Sequence, residues 1–146
     1  MARSIIAVIV SYIIMFALNF LAFVTLYTVV GETQAFKPRM FLASNRWIAM
    51  SFAFIFVTAI IAGLICAVIA RGGRANLALA IVILALGWLL AIPAVMKANA
   101  NAGLVRTGPT PQMEAAQKAY WPIWVPFAFP VISAVGVLIG GRLKKR

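Results

Sequence analysis

Histidine is absent from this sequence, cysteine occurs once, and only Glu32 and Glu114 carry a carboxylate side chain. Imidazole is the commonest protein ligand of haem and metal ions, and a thiolate metal site needs several cysteines. Both glutamates fall between the apolar segments, so no candidate membrane helix carries an acid for proton-coupled exchange. We therefore expect no catalytic residue, no metal site and no bound cofactor, and we predict that the protein is not an enzyme.

The scarcity of acids leaves a net charge of +11, contributed by 13 lysines and arginines. In a soluble protein this charge would indicate nucleic-acid binding. Here the basic residues flank apolar segments, which favours contact with anionic lipid headgroups and control of topology. We predict membrane lipids as partners and no nucleic acid. The one cysteine, Cys66, lies inside an apolar segment and is expected to pack as a small hydrophobe.

Hydrophobic residues make up 65 % of the 146-residue chain, and charged residues only 10 %. A soluble domain needs more surface charge than this. The apolar residues form four segments, each long enough to cross a bilayer at about 1.5 Å per helical residue. We predict an all-α, integral membrane four-helix bundle with one transmembrane domain over residues 1–146. Its helices are expected at about 5–30, 47–70, 75–96 and 121–141, with a short surface helix at about 111–119.

The first segment, residues 5–30, is too long for the apolar region of a signal peptide, so we predict an uncleaved signal anchor. Asn19 lies near its middle. An amide at that depth needs a polar partner, so it is expected to face another helix or a cavity. Two interpretations remain open for Asn19, an interhelical hydrogen bond and a polar contact for a ligand or ion.

Small residues recur at four-residue spacing in two segments. They are Ala59, Gly63 and Ala67 in the second, and Gly136 and Gly140 in the last. Small side chains at this spacing let helix backbones approach closely, and we predict all five as helix-packing residues. The pattern does not identify the helix against which each set packs.

The last segment, residues 121–141, contains three prolines at four-residue spacing. Pro122 fits the first helical turn, where a missing N–H costs little. Pro126 and Pro130 are expected inside a kinked helix, where each frees the carbonyl four residues back. Either the kink fits the helix to its neighbours, or the freed carbonyls line an ion or substrate site.

The connections differ in character. Residues 31–45 mix basic and aromatic side chains, which is typical of a segment at the membrane interface, and Ser44 or Asn45 is expected to cap the next helix. The Arg-Gly-Gly-Arg turn at residues 71–74 predicts an antiparallel helix hairpin. Thr110 is expected to cap the short surface helix, which serves either as a contact for a partner or as a plain connector.

Basic residues indicate the orientation. The first residues, the 71–74 turn and the tail share one side, where compact basic residues adjoin the helices. The opposite side carries six basic residues and both acids, so the counts of basic residues, seven against six, barely differ and their position decides. Positive residues close to membrane helices favour the cytoplasm. We therefore predict cytoplasmic termini and a bacterial inner membrane, with headgroup and topology roles for Arg71, Arg74, Arg142, Lys144, Lys145 and Arg146.

Two functions fit these patterns. One is a structural or accessory subunit that packs against other membrane subunits or against copies of itself. The other is a small oligomeric channel or carrier for an anion or a neutral solute. We predict the first, because side chains that do chemistry are scarce while side chains that let helices approach are plentiful.

Overall fold

A computed structural model describes residues 2–71 and 74–144. The structure is 80 % helical, and the described residues form no strand. Two of the predicted topology residues, Lys145 and Arg146, lie outside the described residues. The helices of the described part are α1 Ala2–Val30, α2 Glu32–Ala35, α3 Asn45–Ala70, α4 Arg74–Asn101, α5 Gln112–Lys118 and α6 Val125–Leu143.

Among the described residues, the four helices α1, α3, α4 and α6 are long and apolar enough to cross a membrane. The shortest of them, α6, has 19 residues, which at a rise of about 1.5 Å per residue nearly equals a hydrocarbon core of roughly 30 Å. α6 packs against α3 and α4, and α1 also packs against α3 and α4. The prediction of an all-α integral membrane bundle is confirmed.

The core of the bundle has two parts with different side chains. Near the α3–α4 turn it consists largely of small and aliphatic residues, among them Ala59, Cys66 and Leu79. At the opposite end it includes large aromatic residues, among them Phe36 and Trp47. The helices therefore come closest at the first end and leave more room at the second, where aromatic rings fill the space between them.

The cap of α3 agrees with the sequence, and the cap of α5 does not. Ser44 accepts a hydrogen bond on its hydroxyl from the Trp47 amide at 3.1 Å, which confirms it as the N-cap of α3. The expected Thr110 cap of α5 is wrong, because Pro111 occupies the cap position and makes no side-chain cap bond. The Thr110 hydroxyl lies 3.4 Å from the Gly108 carbonyl, and the Thr110 amide donates to the Glu32 carboxylate.

α6 begins at Val125, four residues later than predicted, and this changes the role of the prolines. Pro122 lies before the helix, and Pro126 stands in its first turn, where no intrahelical N–H bond is needed. The expectation of two internal prolines is therefore wrong at Pro126. Only Pro130 interrupts the described hydrogen-bond ladder of α6.

Basic side chains bind the carbonyl end of α3. Arg71 ends the helix in the left-handed conformation, with a φ of +54°. Arg3 donates from Nε to the Ile69 carbonyl at 3.0 Å, and Lys144 donates from Nζ to the Ala67 carbonyl at 2.7 Å. Cations suit the negative end of a helix dipole. These bonds bring the start of α1, the end of α3 and the end of α6 together in one region, hereafter the basic end.

The two long connections form a layer across the opposite end of the bundle. This loop layer comprises residues 31–44 and 102–124, including α2 and α5. Backbone bonds join its halves: the Ala43 amide donates to the Tyr120 carbonyl at 3.0 Å, and the Tyr120 amide donates to the Phe41 carbonyl at 3.1 Å. The Arg106 amide likewise donates to the Arg39 carbonyl at 3.1 Å. Because their backbone groups bond to each other, the two connections form one ordered layer instead of separate loops.

Candidate functional site

The predicted small residues bring α3 and α6 into direct backbone contact. A Cβ atom placed on Gly136 would lie 2.7 Å from the Cβ of Ala59, and one on Gly140 would overlap the Ile60 carbonyl. On the facing helix, a Cβ on Gly63 would overlap the backbone of Val137. Side chains larger than hydrogen at these glycines would therefore force the two helices apart.

All five predicted packing residues are buried within the chain. Ala59 and Gly63 contact α6, and the Ala67 carbonyl accepts the hydrogen bond from Lys144. These residues are therefore used in contacts inside the bundle. A surface for another subunit must lie on the outer faces of the helices.

Asn76, near the start of α4, ties this contact to a third helix. Its Nδ2 group donates to the Gly63 carbonyl at 2.7 Å and to the Val137 carbonyl at 3.2 Å. The residue is only 4 % exposed, and Gly141 leaves the space that its side chain occupies. α3, α4 and α6 thus meet at one amide. Sequence reasoning missed this role, although the signal that drew attention to Asn19, an amide within an apolar helix, was present.

Asn19 makes an interhelical hydrogen bond. Its Oδ1 atom accepts from the Thr58 hydroxyl at 2.7 Å, which links α1 to α3. The Thr58 hydroxyl also lies 3.0 Å from the Ile55 carbonyl of its own helix. Of the two interpretations of Asn19, the structure therefore shows the interhelical hydrogen bond. A role for Asn19 toward a ligand or ion stays untested.

The proline inside α6 fits the helix to α4. The Pro130 ring is buried against Gly87, where an added Cβ would overlap the ring. Nearby, the Trp88 indole donates from Nε1 to the Phe127 carbonyl at 3.3 Å. The part of α6 around Pro130 thus packs on α4. This supports the interpretation that the kink fits α6 to its neighbour over that of a carbonyl-lined site.

A cavity of about 540 Å³ lies at the loop-layer end, bordered by α1, α5 and the start of α3. Aromatic rings supply much of its wall, and we call it the aromatic cavity. Two long polar side chains, Lys97 and Gln112, also border it. Sequence reasoning missed this cavity, since the loop layer that closes it was not foreseen. The ring side chains that line it include Phe20, Phe23, Tyr27, Trp47, Tyr120 and Trp121.

Lys97 is bound to the loop layer without a carboxylate partner. Its Nζ atom donates to the Ala116 carbonyl of α5 at 2.8 Å. Each acid of the chain is paired elsewhere: Glu32 with Arg106 at 3.6 Å, and Glu114 with Lys118 at 2.6 Å. In the part of the chain that the structure describes, the Lys97 charge is therefore not neutralised by an ion pair.

Side chains that could hold a metal ion do not gather in the described residues. Within residues 2–71 and 74–144, no group of three His, Cys, Asp or Glu side chains comes close together. Comparisons with known protein families, with curated proteins and with solved structures found no match to this chain. Its function must therefore be inferred from its own geometry.

Proposed function

We propose that this chain is a structural or accessory subunit of a larger membrane assembly. The observation that supports this role most is how the bundle uses its buried amides. Asn19 bonds to Thr58 across α1 and α3, and Asn76 bonds to backbone carbonyls of α3 and α6. Amides at such depths can serve ions or solutes, but here their hydrogen bonds join helices.

The closest helix contact also favours a packing role. Along α3 and α6, glycine and alanine bring backbone against backbone. This close backbone packing resembles the interior of a rigid subunit more than the wall of a solute path. A conduction path would have to form between copies of the chain.

The outer faces of α1 and α4 offer the surface that a neighbouring membrane subunit could contact. On α1, Ile9, Ile13 and Phe16 are exposed, and on α4, Leu89 and Ile92 are exposed. Lipid chains and apolar helices both suit such surfaces. Assembly with another subunit is therefore expected to depend on the shape of these faces, since the glycine contacts are already used inside the chain.

Gentle detergent extraction of the tagged chain, followed by sizing and mass spectrometry, tests the role. We expect the chain to elute with other membrane proteins in a fixed ratio. Leu89→Trp or Ile13→Trp should weaken that association while the chain stays folded. Val29→Trp, at an exposed site beside the loop layer, is the control of equal bulk.

A small oligomeric channel or carrier is the competing outcome. In that case the purified chain would run alone as a defined homo-oligomer. In vesicles it would also carry an anion or neutral solute, and Asn19→Leu would abolish that flux. Both results together would replace the accessory role.

A further inference from the structure

The ring side chains of the aromatic cavity indicate its depth in a membrane. Tyr27, Trp47, Tyr120 and Trp121 surround it at the loop-layer end of the bundle. Amphipathic rings of this kind concentrate at the membrane–water interface. Phe20 lies seven positions before Tyr27 on α1, which is roughly 10 Å deeper along a helix axis. The cavity therefore extends from headgroup level into the depth of the acyl chains.

The cavity is open to its surroundings. Two of its lining residues, Phe20 and Met113, are 66 % and 73 % exposed. Trp47, by contrast, is only 7 % exposed and forms part of the inner wall. A flexible apolar chain in the membrane could thus enter past Phe20 and reach the Trp47 ring.

The polar border of the cavity carries a positive charge. An ammonium group has three donors, and among residues 2–71 and 74–144 Lys97 has one hydrogen-bond acceptor, the Ala116 carbonyl. Both acids of the chain are paired with Arg106 and Lys118. Lys97 lines the cavity and can therefore donate to an anionic group there while it keeps its bond to α5.

From these features we infer that the aromatic cavity binds one acyl chain of an anionic membrane phospholipid, with the lipid phosphate at Lys97. The volume of about 540 Å³ falls within the roughly 300–1,000 Å³ of typical ligand sites. The apolar wall suits the chain, and the lysine selects the charge of the headgroup. A zwitterionic lipid has the same chains but no net charge. This site does not depend on the accessory role.

Tryptophan quenching by brominated lipid chains tests the site. The full chain carries Trp88→Phe and Trp124→Phe, which removes two exposed indoles and leaves Trp47 and Trp121 as reporters. Two sets of vesicles contain the same ratio of phosphatidylcholine to phosphatidylglycerol. In one set the phosphatidylglycerol is brominated, and in the other an equal amount of phosphatidylcholine is brominated. We expect the brominated phosphatidylglycerol to quench at about fivefold lower mole fraction, as one lysine near an anionic lipid supports.

Two pairs of variants separate the charge from the cavity. Lys97→Met should remove the preference for phosphatidylglycerol, and Lys97→Arg should keep it. Lys37→Met, which removes a loop-layer lysine that does not line the cavity, is the matched control. Val24→Phe fills the cavity and should reduce quenching by both lipids. Val29→Phe, at a 78 % exposed position outside the cavity, should leave quenching unchanged.

Lys97→Met also removes the hydrogen bond from Lys97 to α5. Loss of this bond alone would change quenching by both lipids equally. The ratio of quenching by the two lipids therefore reports the effect of the Lys97 charge. Equal quenching by the two lipids in the reporter chain would overturn the assignment. A preference that survives Lys97→Met would do the same, as would unchanged quenching in Val24→Phe. Absence of quenching by both lipids would show that no acyl chain reaches the indoles of the cavity, and would also overturn the assignment.

Discussion

Asn76 joins three helices through one amide group, so its removal should weaken the whole bundle. We expect Asn76→Ala to lower the free energy of unfolding by about 1–2 kcal/mol, the range for intramembrane hydrogen bonds with model peptides. Reversible unfolding in mixed detergent micelles measures this change. Asn99→Ala, at an exposed position of the same helix, is the control. Equal losses in both variants would contradict the role of Asn76.

The Asn19–Thr58 bond is a single contact between two side chains, and we expect it to matter less. Asn19→Leu should cost about 1 kcal/mol or less of unfolding free energy. A double-mutant cycle with Thr58→Val isolates the pair, for which a coupling of about 0.6 kcal/mol is typical. Additive losses in the cycle would show that the two side chains do not interact.

These residues show what sequence can reveal about polar contacts. Asn19 attracts attention because it lies in the middle of an apolar segment, where an amide needs a partner. Asn76 lies near the start of its segment and therefore resembles an ordinary interface residue. The Thr110 cap failed for another reason: α5 begins one residue later than expected, with Pro111 at the cap position, and the Thr110 amide bonds to Glu32, 78 positions away in the chain. Local patterns carry no information about such a partner.

At the scale of the elements, the close contact of α3 with α6 depends on glycine, which has only a hydrogen atom as its side chain. Gly140→Leu should lower the free energy of unfolding by about 3 kcal/mol or more, because the added side chain meets backbone that cannot yield. Gly103→Leu places the same side chain in open space and should change little. The measurement is the unfolding of the purified chain. A similar, small loss in both variants would show that the helices can separate without cost.

Sequence alone located the apolar segments but not the start of the last one. Residues 121–124 resemble the rest of the segment in polarity, so composition includes them in the helix. In the structure they belong to the loop layer, and α6 begins at Val125. The small-residue spacing identified the contacting faces of α3 and α6. It could not show that they contact each other, since spacing is the same whichever helix lies opposite.

At the scale of the whole molecule, the basic end should face the cytoplasm. Arg3, the α3–α4 turn and Lys144 meet at this end, and the bias toward cytoplasmic lysine and arginine acts on such short flanks. A reporter that is active only outside the cytoplasm should be silent after Arg146 and active within residues 103–108. The reverse pattern would overturn the orientation. Matched expression of both fusions, checked by immunoblotting, is the control.

The aromatic cavity shows the limit of prediction at this scale. Phe23 and Tyr27 recur on one face of α1, which the sequence makes visible. Their cavity, however, exists only because α5 and Trp121 lie opposite, and residues far apart in the chain determine that arrangement. Whole-molecule features of this kind follow from packing between elements, which periodicity within one element does not encode.

The backbone pairing of Tyr120 with Phe41 and Ala43 sets an order for biosynthesis. The ribosome makes residues 41–43 well before Tyr120, and two further membrane crossings, by α3 and α4, separate the two paired segments. During that interval the backbone groups of Phe41 and Ala43 that pair with Tyr120 lack this partner and can bond to water at the membrane surface. The α3–α4 hairpin needs only local contacts and can insert into the membrane before the loop layer closes. Closure of the loop layer is thus a late step, completed only after the nascent chain has delivered residues 102–124 to the same side of the membrane.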